Sequence, residues 1–215
     1  MENGLLNYLI HPPKEVKDKN PLLLLIHGYG SNEEDLFSFV SELPDDYYVV
    51  SVRAPYQVPP YGFAWYAIRF DADMNKSTDD QQAIQSRDLL VQFIDELCSK
   101  YPIDPNNVNL AGFSQGAILS YAIALTYPEK INKVAALSGY FHKEIMTPKT
   151  DINAYRHLKI FGSHGTVDQV IPVEWARQTT DFLKPFNISF EYKEYPVGHG
   201  VAPQNFHDFK AFLMR

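Results

Sequence analysis

Cysteine is almost absent from this chain of 215 residues: Cys98 is the only one. An intrachain disulfide is therefore excluded, and so is a metal site built from a cysteine cluster. Such usage fits a reducing, cytoplasmic setting. Long apolar runs are also missing. The longest, residues 21–26, falls far short of the ~20 residues that a membrane-crossing helix needs, so no stable membrane insertion is expected. The opening stretch MENGLLNYLIHPPKEV has no basic start and only a broken apolar run, so it does not read as a secretory leader. Basic charge is in deficit, with 19 Lys and Arg against 26 Asp and Glu and a formal net charge of -7. That disfavours nucleic acid as a partner, because a neutralising basic surface supplies most non-specific affinity for phosphate backbones. Tryptophan is scarce at 2, yet Tyr and Phe stand at 14 each, so the core and any pocket mouth must draw on those rings.

What is present reads as one domain over residues 1–215. Strand-like and helix-like segments alternate along it. Residues 5–10, 22–26, 48–53, 108–111, 134–137, 158–161 and 188–195 read as strands. Residues 22–26 are five consecutive aliphatics, as expected for a strand buried on both faces. Helices are expected at 33–41, at 117–126, at 173–183, at 206–213 and, most clearly, after Thr78. There Thr78 and Gln81 suggest a capping box, and Ile84, Leu90, Val91, Ile94, Leu97 and Cys98 form an apolar stripe. On that stripe Cys98 is a core thiol rather than a nucleophile. The pattern predicts an α/β fold: a mostly parallel sheet of about seven strands with helices on both faces. Residues 55–77 show no period and are read as a long loop that shapes a pocket.

Chemistry concentrates at the ends of these strands. Gly112-Phe113-Ser114-Gln115-Gly116 follows a strand and precedes an apolar helix, the context of a nucleophile elbow. A serine needs a base, and in elbow enzymes the order along the chain is serine, acid, histidine. Of seven histidines, His199 fits best, late in the chain and set in Gly198-His199-Gly200, where the glycines are expected to free the loop. His207 is its nearest rival, inside the last helical pattern. Asp168 lies past the 158–161 strand, where open α/β sheets gather their sites, and would orient the imidazole. Tyr29 and Gln115 are expected to supply backbone N–H groups to an oxyanion. Phe63, Trp65, Tyr66, Ile68 and Phe70 are the pocket candidates, each with ordinary packing as the alternative. His27 and His164 are read as structural hydrogen-bonding groups, and neither a metal nor a cofactor is required.

These pieces together resemble the phospholipase/carboxylesterase family of α/β-hydrolases, which includes acyl-protein thioesterases. The resembling segments are LLLLIHGYGSNEEDL (22–36), RAP (53–55), AWY (64–66), LAGFSQGA (110–117), LSG (137–139), HGTVDQVIP (164–172) and GHG (198–200). Gln169 departs from the proline many relatives carry after the acid. The resemblance implies Ser114 as nucleophile, Asp168 as acid, His199 as base and Tyr29 and Gln115 as oxyanion donors. It implies a small acyl ester or thioester as substrate. Carboxylesterase action on short to medium acyl chains is the expectation, with acyl-protein thioesterase or lysophospholipase action as the alternative. A non-catalytic apolar-ligand-binding protein is the reading from a different class. A homodimer is common for such small hydrolases, but the sequence shows no interface.

Overall fold

Five aliphatic residues in a row suit a strand that is covered on both faces. Residues 22–26 are buried in this way in the computed structural model, which describes residues 4–70 and 76–215. In chain order the strands are β1 (Tyr8–His11), β2 (Asn20–Ile26), β3 (Tyr48–Val52), β4 (Tyr56–Val58), β5 (Gly62–Ala64), β6 (Ile68–Phe70), β7 (Lys76–Thr78), β8 (Ile103–Phe113), β9 (Lys133–Leu137), β10 (Lys159–Gly165) and β11 (Ser189–Tyr195). The α-helices are α1 (Glu34–Phe37), α2 (Asp80–Lys100), α3 (Gln115–Thr126), α4 (Val173–Leu183) and α5 (Pro203–Leu213).

One 7-stranded sheet runs in the order β1-β3-β2-β8-β9-β10-β11. β1 is antiparallel to β3, and the remaining neighbours are parallel. This is the α/β-hydrolase fold. Side chains alternate across β2: Leu22, Leu24 and Ile26 join the core under α2 and α3, whereas Leu23 and Leu25 join the core under α1 and α5. The register sets Gly112 beside Ile26 on one flank and Ala136 on the other. Whatever follows β8 therefore emerges between the loops after β2 and β9. Among the described residues no helix is long and apolar enough to cross a membrane.

Two expectations change. The 55–77 segment is not a plain loop: β4 pairs with β5, and β6 with β7, as two small antiparallel ribbons. Strands of three residues are too short to display a period of two, which hides them in sequence. The capping residue of α2 is Asp79, whose side chain accepts from Gln82 N–H; Thr78 closes β7 and bonds Asp80 instead. Cys98 packs against the core, and burial pushes its thiol pKa up, which disfavours the nucleophilic thiolate.

Candidate active site

Ser114 stands between β8 and α3 at φ 55, ψ -115, a conformation that non-glycine residues rarely adopt. Strain of this kind costs about 1–3 kcal/mol and persists only where the surroundings enforce it. Here Ser114 N–H donates to Leu137 O at 2.9 Å, and Ser114 O accepts from Ile118 N–H at 3.1 Å. The flanking glycines are required by close approach. A Cβ on Gly112 would sit 2.2 Å from Gly116 O, and one on Gly116 would sit 1.9 Å from Ile26 O. Both obstacles are backbone, which cannot swing aside.

The structure brings His199 and Asp168 to this serine. His199 Nε2 lies 2.9 Å from Ser114 Oγ, and Nδ1 lies 2.7 Å from Asp168 Oδ2. An ionised carboxylate only accepts, so Nδ1 carries the proton and the Nε2 lone pair faces the hydroxyl. The Asp168 side chain is 0 % exposed. Its Oδ1 accepts from Val170 N–H at 2.8 Å and Ile171 N–H at 2.9 Å. Its Oδ2 also lies 3.2 Å from His164 Nε2, which donates to Ile171 O at 2.9 Å. Burial pushes the Asp168 pKa up, but the bonds from Ile171, His199 and Val170 outweigh it and hold the carboxyl below the ordinary aspartate value.

The glycine that seats the histidine loop is not one of those beside it. Gly198 and Gly200 meet little, and neither has a positive φ. A Cβ on Gly165, however, would lie 2.2 Å from both Val197 O and Gly198 O. Gly165→Ala should therefore displace His199 from Ser114. About a hundredfold loss of kcat is expected, the scale of a misplacement of about 1 Å, and unchanged turnover would show that the loop adapts. His207, the rival, sits largely exposed on α5.

The loop after β2 is anchored from several sides. His27 Nε2 accepts from Ala54 N–H and its Nδ1 donates to Gly28 O. Burial lowers the His27 pKa, which keeps the ring in this neutral tautomer. Gly30 N–H donates to Phe63 O, and Phe63 N–H to Ser31 O. These bonds hold Tyr29 at the rim of a cavity of about 280 Å³ that Ser114, Gln115 and His199 also line. Gln115 opens α3, so its N–H has no acceptor within the helix.

Of the pocket candidates, Tyr66 and Ile68 line this cavity. Trp65 does not: it is 0 % exposed, and its indole N–H donates to His27 O. Phe63 lies beneath the Arg53 guanidinium and bridges to Ser31. Phe70 closes β6, and its side chain lies outside the described structure. Sequence reasoning missed the other walls, Thr78, Ile118, Tyr140, Val170 and Ile171. It also missed the Gln115 side chain, which accepts from Trp65 N–H at 3.0 Å and donates to Tyr66 O at 2.8 Å. Through Gln115 the elbow and the aromatic segment form one unit. Burial, with Asp80 and Glu144 nearby, pushes the Tyr140 phenol up, so this wall stays neutral at neutral pH. Among the described residues no group of three or more His, Cys, Asp or Glu side chains could hold a metal ion.

A family model described as Phospholipase/Carboxylesterase matches residues 10–215. The chain belongs to this family. Its phospholipase/carboxylesterase relatives include the acyl-protein thioesterase 1 of Mycosarcoma maydis, 27% identical over 98% of this chain and 97% of that protein. The acyl-protein thioesterase 1 of Kluyveromyces lactis is 30% identical over 71% of this chain and 68% of its own length. Among solved structures, the Bacillus cereus carboxylesterase superposes with a TM-score of 0.84 at 21% identity, covering 99% of this chain and 95% of that one. At that identity the likeness speaks for the shared fold. Membership of an esterase and thioesterase family supports enzymatic activity of the hydrolase type.

Proposed function

We propose that the protein is a serine carboxylesterase, acting on short- to medium-chain acyl esters through an acyl-enzyme on Ser114. The observation that carries this reading is the hydrogen-bond chain from Ser114 Oγ through His199 to Asp168, opening into a small cavity walled by Tyr66, Ile68, Ile118 and Tyr140. A volume of about 280 Å³ lies at the small end for ligand clefts, which favours short chains over long ones. One domain, residues 1–215, would hold the whole machinery, in the reducing setting that a lone cysteine suits.

In the reaction His199 Nε2 takes the hydroxyl proton as Ser114 Oγ bonds to the substrate carbonyl carbon. The carbonyl oxygen becomes an oxyanion facing the Tyr29 and Gln115 N–H groups, each such donor worth roughly 3–4 kcal/mol in the transition state. As the tetrahedral adduct collapses, the bond to the leaving alcohol breaks and the imidazolium returns the proton to that oxygen. Asp168 stabilises the imidazolium meanwhile. A water then gives a proton to His199, attacks the acyl carbon and releases the acid, and Ser114 recovers its proton.

Nitrophenyl esters from acetate to laurate test the reading. Turnover should peak among the shorter members, with kcat/KM falling about tenfold or more by laurate. A folded protein that leaves every member intact would overturn it. Cleavage of acyl thioesters is the second reading, favoured by the names of the relatives in Mycosarcoma maydis and Kluyveromyces lactis. The same nucleophile serves both, so matched oxygen and sulfur esters of one acyl group decide between them. The non-catalytic reading predicts no labelling of Ser114 by a fluorophosphonate.

A further inference from the structure

Next to the cavity at Ser114 lies a second hollow of about 250 Å³, walled by Phe141, Trp175, Gln178 and Phe182 with Lys143 and Glu144 at its rim. Among the described residues Tyr140 alone lines both. Its position is set by the backbone. Ser138, just past β9, is buried at φ 54 and donates its N–H to Ser163 O, which fixes where the chain leaves the sheet. The Tyr140 ring is then braced edge-on by Trp175 at 5.1 Å, with the tilted His142 ring at 6.0 Å on another side. His142 is itself held, with Nε2 2.8 Å from Asp80 Oδ1 and Nδ1 3.2 Å from Glu144 Oε2. Beyond the partition, Phe141 and Phe182 stack at 4.9 Å and 16°.

We propose that Tyr140 is the stop that limits acyl-chain length, and that the aromatic groove behind it is a latent extension of the acyl cavity. The proposal rests on the ester-hydrolase reading. The occupant follows from the chemistry of the walls. Three aromatic rings beside the Tyr140 partition can exchange water for the terminal methylenes of an acyl chain whose carbonyl is at Ser114. The charged rim does not compete for that space, since Lys143 and Glu144 lie 3.8 Å apart and pair with each other. With Tyr140 in place the chain ends against its ring, and the groove is reached only when the partition is cut back or unbraced.

The test varies the acyl group of nitrophenyl esters from butyrate to palmitate, keeping the leaving group constant, and reads the palmitate-to-butyrate ratio of kcat/KM. Tyr140→Ala should raise this ratio at least about tenfold over wild type, since each accommodated methylene adds substantial discrimination. Tyr140→Phe, which keeps the ring, should leave it near the wild-type value. Trp175 is 41% exposed, so its truncation spares the core; Trp175→Ala unbraces the ring and should give a smaller rise. If Tyr140→Ala fails to fold, Trp175→Ala decides by the same ratio. An unchanged ratio in the folded variants overturns the proposal. So does a gain that appears only when the alcohol portion of an acetate ester is lengthened, because the groove would then hold the leaving group. Failure of wild type on every ester strikes the ester-hydrolase reading instead, which keeps the two failures apart.

Discussion

Ser114→Ala is expected to lower kcat/KM on the preferred ester by about four to six orders of magnitude, leaving only what the oxyanion donors and binding supply. The size follows from the absence of a substitute. His199 Nε2 would face a methyl group, and water would have to attack without a positioned partner. A fall of less than about a hundredfold would remove Ser114 from the nucleophile's role. The same position allows a stability measurement that separates strain from chemistry. Alanine retains a Cβ and therefore the penalty of φ 55, whereas glycine relieves it. Ser114→Gly should be equally inactive yet more stable than Ser114→Ala by about 1 kcal/mol, which for a chain of this length is a rise in Tm of about 2–4 °C. Equal melting points would mean that the elbow stores no strain.

Asp168→Asn should lower kcat by about four orders of magnitude while leaving the side chain nearly the same size. Three donors converge on this carboxylate, from Val170, Ile171 and His199. An amide has one oxygen. If that oxygen keeps the two backbone N–H groups, the NH₂ faces His199 Nδ1 and draws the ring into the other tautomer. Nε2 then carries a hydrogen and can no longer take one from Ser114. Nuclear magnetic resonance of the His199 ring protons checks the tautomer directly, and a turnover within about tenfold of wild type would refute the orienting role. The depressed Asp168 pKa also gives a sign for acid stability. The folded value lies below the unfolded one of about 4. Stability from this group is therefore present above that pH and is lost as pH falls through the lower folded value. Asp168→Asn should flatten that part of the acid denaturation profile.

The alternation of elements and the elbow were legible because they rest on local rules. Residues 22–26 announce a doubly covered strand by composition alone, and Gly112 and Gly116 announce a tight turn by spacing. Less legible were features that depend on distant backbone. Gly165 is needed by the loop carrying His199, more than thirty positions on, and nothing near it in sequence says so. The two small ribbons of the 55–77 segment were hidden by their length, and Trp65, a natural pocket residue by composition, turned out to face His27 O in the core.

Sequence by itself determined the α/β class and the sites of most strands and helices, and it named the residues now proposed for acyl transfer. Periodicity, turn glycines and chain order are properties of neighbouring residues, and those are written in line. Only the tertiary structure decided that the Ser114, His199 and Asp168 side chains meet, that Gln115 ties the elbow to Trp65 and Tyr66, and that Tyr140 rather than Phe63 or Trp65 walls the cavity. The physical reason is that a parallel sheet gathers at one edge the ends of strands far apart in the chain. Which face a side chain takes there depends on register and on what packs above it.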